Sequence, residues 1–268
     1  MSVAAGYPPA LRIFSYLPNP RLAKASIAAR LCGVALEVRG AAPRELAGWL
    51  WDFDARPLGA GEAGAGTARP AHAGFSGTLH KTEAFLAAQP FGNVPAAFSP
   101  NGTVGIFESN SIARAVVRLA PHGTGLYGND AYGASRIDGF LDASLIFARE
   151  VQVYLLELAA RQPEGHTYER ARAACASYLS GIERALAPAG RFLVGAELTL
   201  ADICFATELA LFSAERAQRE VLAQAGLQPL YTDALRQSFS GAFGHFDRLC
   251  QEPAFACELG PYLEKLDA

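Results

Sequence analysis

Residues 91–119, FGNVPAAFSPNGTVGIFESNSIARAVVRL, constrain the fold more than any other stretch of this 268-residue chain. Val94-Pro95-Ala96-Ala97-Phe98 is a short apolar run. Pro100-Asn101-Gly102 is a turn signal, because Asn and Gly tolerate the positive φ that tight hairpins need. Val104-Gly105-Ile106-Phe107 is the returning strand. Glu108-Ser109-Asn110 then opens a helix whose apolar residues Ile112, Ala115, Val116 and Leu119 recur with helical period. Two features carry chemistry. Proline lacks an N–H and suits a strand start, and an X–Pro bond is the only one that readily goes cis. A cis Val94–Pro95 bond would turn the N–H and C=O of Val94 outward, free to pair with an extended peptide. The helix start offers unpaired N–H groups and a positive dipole end to a carboxylate, with Glu108 beside it for an ammonium. Together they suit a small zwitterionic peptide. An ordinary hairpin followed by a serine cap accounts for the same residues.

Upstream, Leu11 to Tyr16 alternate as a strand that Pro18 and Pro20 break. Residues 21–31 form a helix stopped by Cys32-Gly33, and residues 34–38 form a second strand. Strand, helix, strand at this spacing is a right-handed parallel crossover. Leu46, Trp49, Leu50 and Phe53 predict a helix over residues 44–53. Residues 54–77, with GAGEAGAG and flanking prolines, predict a flexible bulge rather than a lid. A short helix over residues 82–88 feeds the central stretch. The order β-α-β-α-β-β-α predicts an α/β, thioredoxin-like domain over residues 10–120. Residues 121–128 (PHGTGLYG) are the linker. Beyond it the strand signal disappears and long helical patterns over 135–161 and 167–186 predict an all-α domain spanning 130–266. Thr199, three residues before Asp202, is a capping-box pair with a folding role.

Composition narrows the function. With 51% hydrophobic and 18% charged residues the chain is globular. A net charge of −3 gives no electrostatic case for nucleic acid or an anionic membrane. No apolar run approaches the roughly 20 residues of a membrane span. The opening MSVAAGYPPA lacks the basic and apolar parts of a secretory signal, so a cytoplasmic protein is expected. The five cysteines form no C-x-x-C pair and the five histidines share no ligand spacing, so no metal is expected. Cys32, Cys175 and Cys204 fall in apolar helical patterns and read as core thiols.

The VP turn followed by ESNSIAR is similar to the glutathione-binding half of the glutathione transferase superfamily. FGNVPAAF and FESNSIARAV resemble more closely the transferase-like domain of the gamma subunit of eukaryotic elongation factor one. The resemblance runs along nearly the whole chain: Tyr16, Asn19, Arg21 and Lys24-Ala25 fall on that pattern, as do Phe246, Pro253 and Phe255. It implies glutathione as cosubstrate, with Val94 pairing to the cysteinyl backbone, Pro95 shaping the turn, and Glu108 and Ser109 taking the γ-glutamyl ammonium and carboxylate. Asn93 or Gln89 would help at the glycine end. A donor just after the first strand would stabilise the thiolate, and Tyr16, Asn19 and Ser15 are the candidates. Arg21 either holds a carboxylate or is solvated. Phe147, Arg149, Glu150 and Tyr154 are in reach of a pocket for a small hydrophobic electrophile, attacked by substitution or by cleavage of an aryl ether. The alternative is a non-catalytic scaffold. Either way the resemblance implies a dimer, with a second copy or a related transferase.

Overall fold

The computed structural model describes residues 9–64, 66–71, 74–187 and 190–267. The N-terminal segment read above for a secretory signal lies, through residue 8, outside the described residues, as do residues 65, 72 and 73 of the glycine-rich insertion. Two compact units meet between Thr124 and Gly125, inside the 121–128 segment.

In the first unit, β1 (Leu11–Tyr16), α1 (Pro20–Cys32) and β2 (Leu36–Ala41) form the expected crossover, with Leu11 opposite Leu36 in a parallel ladder. β2 starts later than the sequence suggests. Gly33 takes φ +68° and the Val34 N–H bonds back to the Ala29 carbonyl (3.0 Å), so these residues close the helix instead of opening the strand. Gly40 lets β2 approach β1, because a Cβ there would lie 1.8 Å from the Ser15 carbonyl oxygen.

The helix expected over residues 44–53 does not form. A 3₁₀ turn at Glu45–Gly48 gives way to β3 (Trp49–Trp51). The spacing of Leu46, Trp49, Leu50 and Phe53 is helical, but sheet pairing wins: β3 lies between β4 (Arg56–Pro57) and, in parallel, β6 (Thr78–Lys81). β5 (Ala68–Pro70) completes a second sheet of order β4-β3-β6-β5. The insertion read as a flexible bulge therefore carries two strands. Its first corner is held by Arg56, whose guanidinium grips Glu62 through two bonds (2.5 and 2.6 Å), while Glu62 also accepts from the Gly59 N–H (2.6 Å). Asp54 is drawn to Arg39 (2.6 Å) and Arg12 (3.4 Å) of the first sheet. The turn residues made this segment look structureless, and the Asp54 pairs with Arg39 and Arg12 lie too far apart in sequence to announce themselves.

α2 (Glu83–Ala88) is capped by Thr82, whose hydroxyl accepts from the Phe85 N–H (3.0 Å). β7 (Ala96–Phe98), β8 (Gly105–Ile106) and α3 (Ser109–Arg118) follow, and the first sheet has the order β2-β1-β7-β8. Gly102 takes φ +75° in the hairpin turn. Both sheets share one core. Phe14 and Phe98 come from the first sheet and Trp51 and Leu79 from the second, closed by Leu46 and Phe85. Burying each of these side chains is worth about 1.5–3 kcal/mol. The Trp51 indole N–H is satisfied by the Leu46 carbonyl (3.0 Å).

The second unit is helical throughout its described residues: α4 (Ala131–Ala159), α5 (Gly165–Leu186), α6 (Leu200–Phe212), α7 (Arg219–Gln224), α8 (Asp233–Ser238), α9 (Ser240–Gln251) and α10 (Pro253–Asp267). α6 is buried on nearly every side, and Thr199 and Asp202 form its capping box. Asp202 does more than cap. Its carboxylate also accepts from the Leu193 N–H (2.9 Å) and from His245 Nε2 (2.8 Å) on α9. Arg248, which can only donate, points at His245 Nδ1 (3.2 Å), so Nδ1 accepts and Nε2 carries the hydrogen toward Asp202. No described helix is long and apolar enough to cross a membrane.

Candidate functional site

The register of the first sheet brings the sequence-derived residues to one end of it. β1 and β7 run antiparallel with Phe14 opposite Ala96, so Ser15 and Tyr16, still paired to β2, pass beyond the end of β7 where Val94 and Pro95 lead into it. The Val94–Pro95 bond is cis, and among the described residues no hydrogen bond engages Val94. α1 starts from this same end, and its Lys24 spans to Ser109 and Asn110 at the start of α3. The two helix N-termini and the proline turn thus surround one patch of the first unit.

Glu108 is the most unusual residue in that patch. It is the N-cap of α3 at φ +65° and ψ +122°, left-handed backbone that a residue with a Cβ rarely adopts. Strain of this kind costs about 1–3 kcal/mol and persists where the surroundings impose it, often at binding sites. The exposed carboxylate has no hydrogen-bond or ion-pair partner among the described residues. Next to it, Ser109 is buried at the first position of α3, where the leading N–H groups of a helix lack intrahelical acceptors. A carboxylate and a helix mouth side by side match an amino acid's ammonium and carboxylate.

The three candidate thiol donors are not equivalent. Asn19 is nearly buried and caps α1: its side-chain oxygen accepts from the Arg21 N–H (2.9 Å). Its amide nitrogen donates to the hydroxyl of the fully buried Ser15 (2.9 Å). That leaves the Ser15 hydroxyl hydrogen and the second Asn19 amide hydrogen to be placed. Tyr16 is half-buried and rests against the aromatic core. Pro20 supplies no N–H, and Arg21's is taken by the cap, so the first turn of α1 is largely closed by its own residues. The Arg21 backbone serves that cap.

Three contributors escaped the sequence reading, and a fourth was misplaced. Only three lysines occur in the chain, and two of them are fully buried around this patch. Lys24 reaches α3. Lys81 donates to the Gly92 carbonyl (2.6 Å) and lies over the Trp51 ring (4.8 Å), and burial pulls its pKa down. Asn110 accepts from Lys24 (2.8 Å). Gln89, expected at the glycine end, is fully buried. It binds the Asn93 carbonyl (3.0 Å), the Asn93 side-chain oxygen and the Phe91 N–H (2.9 Å), so it shapes the loop that delivers Val94. The paucity of lysine was the one available signal. Phe147 and Tyr154, expected at an electrophile pocket, are instead core of the helical unit. Phe147 stacks on Tyr178, and the Tyr154 hydroxyl donates to Glu215 (2.6 Å). Arg149 is exposed, and Glu150 is held by Arg170 (2.7 Å).

Cys32, Cys175 and Cys204 are buried, as the apolar patterns indicated. Burial pushes the Cys175 and Cys250 thiols up to about 12, far from a thiolate near neutral pH. Among the described residues no three His, Cys, Asp or Glu side chains gather as a metal site would require.

A thioredoxin-like α/β unit with a helix N-terminus beside a cis proline, followed by an all-α unit, is the architecture of a glutathione transferase. The family description for the glutathione S-transferase C-terminal domain matches residues 165–248. The glutathione S-transferase-like protein FUS3 of Gibberella moniliformis is 29% identical over 202 residues, 74% of each chain. The probable elongation factor 1-gamma 1 of Arabidopsis thaliana is 33% identical over 133 residues, 47% of this chain but 30% of that protein's length. A glutathione S-transferase of Methylobacterium radiotolerans, solved with glutathione sulfonate, shares the fold. Its TM-score is 0.60 at 19% identity, over 93% of this chain and 94% of its own. The chain thus has the fold of a glutathione transferase, and its residues 165–248 match that family's C-terminal domain.

Proposed function

We propose that this protein is a glutathione transferase that binds the tripeptide at the end of its first sheet and directs the thiolate at a small hydrophobic electrophile. One observation carries the reading: Glu108, strained at φ +65°, presents an unpartnered carboxylate beside the α3 N-terminus. Glu108 takes the γ-glutamyl ammonium, and Ser109 with the first N–H groups of α3 takes the carboxylate. Val94 pairs through its backbone with the cysteinyl residue, at the turn shaped by Pro95. The thiol then lies over the end of β1, where a hydrogen bond from Tyr16, Asn19 or Ser15 favours the anion. The sulfur forms a bond to carbon as a leaving group departs with its electron pair. With an aryl ether as substrate, that leaving group is an aryloxide. The protein acts in the cytoplasm as a dimer, of two copies or with a related transferase. The similarity to elongation factor 1-gamma over 133 residues favours a second reading, a transferase fold used as a scaffold.

Retention on immobilised glutathione together with conjugation of a generic aryl halide supports the enzyme. Failure of both, with tight co-purification of another protein, supports the scaffold. The donor is the residue among Tyr16→Phe, Asn19→Ala and Ser15→Ala whose loss raises the pKa of the bound thiol.

A further inference from the structure

We infer that Lys24 is a positioning residue for the α-carboxylate of the γ-glutamyl group, acting through Ser109; this rests on the proposed glutathione site. Lys24 stands in the second turn of α1, on a face it shares with the buried Ile27 and Ala28, and is itself 1% exposed. A cation there is costly, and a methionine would fill the same space without that cost. Its ammonium reaches the start of α3, donating to Ser109 Oγ (3.2 Å) and Asn110 Oδ1 (2.8 Å).

The consequence follows from donor counting. An ammonium has no lone pair to offer, so Ser109 Oγ must be the acceptor in this contact. The Ser109 hydroxyl hydrogen is therefore released to donate elsewhere, and the opening beside Glu108 is where an anion would receive it. Without Lys24, the hydroxyl is free to turn its hydrogen inward and present a lone pair to the carboxylate. Lys24 also places a positive charge one hydroxyl away from that anion, adding to the helix dipole. Asn110 holds the ammonium from the next position of α3, so the distance between the two helix starts is fixed by side chains on both.

The test compares two ligands by calorimetry: reduced glutathione, and 4-aminobutanoyl-cysteinyl-glycine, which lacks only the α-carboxylate. Lys24→Met is expected to weaken glutathione about 10- to 100-fold, the range for losing a charge-assisted contact, and the analogue less than about twofold. In a Ser109→Ala background the same substitution should change glutathione affinity only slightly, because the intermediary is gone. Equal losses for both ligands, or an undiminished effect in the Ser109→Ala background, overturn the assignment and leave the glutathione site standing. Wild-type protein that binds neither ligand refutes the site itself, and the role of Lys24 falls with it. Should Lys24→Met not fold, Lys24→Gln keeps a polar group without the charge, and the same ratio between ligands decides.

Discussion

At the scale of single residues, the site rests on unlike contributions. Glu108 and Ser109 present charge and hydrogen-bond donors, whereas Lys24, Lys81 and Gln89 hold the presenting segments in place. Replacing Glu108 by Ala should cost about 1–3 kcal/mol of glutathione affinity, the value of a hydrogen bond to a charged group. The same change should leave folding stability equal or slightly higher, because alanine at φ +65° keeps the strain while no bonded side chain is lost. Calorimetry with thermal melts checks both parts, and an unchanged affinity contradicts the ammonium role. That Val94, Pro95, Glu108 and Ser109 lie near one another was legible, because they share one contiguous stretch, and their part in binding is the proposal made above. Lys24 was not. Its partner Ser109 is 85 residues away, and a lysine in a helical pattern ordinarily reads as solvated. Tyr16, Asn19 and Ser15 were legible as a group, but the Asn19–Ser15 bond depends on backbone geometry that a sequence does not state.

At the scale of elements, the reading held where periodicity and caps agreed. β1 appeared at its expected bounds, α1 and α5 close to theirs, and the capping box on α6 was found as spaced. It failed between β2 and α2. There a helical spacing of apolar residues concealed a strand, and a glycine-rich segment concealed the short strands β4 and β5 behind its turn residues. Trp51 explains the outcome: as a strand residue it contacts Phe14, Phe75 and Phe85 edge-on, at 5.2, 5.4 and 5.9 Å. The first corner of that insertion depends on pH. The Arg56 guanidinium and the Gly59 N–H lower the Glu62 pKa from its ordinary 4.5 to about 2. A carboxyl whose pKa falls on folding contributes stability above its unfolded value and loses it as pH drops toward the folded value. Protection of the Gly59 amide from hydrogen exchange should therefore decline between pH 4.5 and 2. The loss is local and modest, since the pair is solvent-screened. Glu62→Gln should show the low-pH behaviour already at neutral pH. Protection that persists to pH 2 in the wild type contradicts this account.

At the scale of the whole molecule, the two-part architecture was legible from the change in pattern across residues 121–128, and the fold is the one that solved glutathione transferases share. The electrophile was not legible. The aromatic residues offered for its pocket have the same spacing as core residues, and the core claimed them. The proposed glutathione site therefore lies in the first unit alone, at the α3 helix mouth and the Val94–Pro95 turn. The most direct test is a crystal structure of the protein with reduced glutathione. The account predicts the γ-glutamyl ammonium on Glu108, its carboxylate at Ser109, and the cysteinyl backbone paired with Val94, with the sulfur over the end of β1. Glutathione bound with its γ-glutamyl end away from Glu108 and Ser109, or no glutathione at saturating concentration, would contradict it.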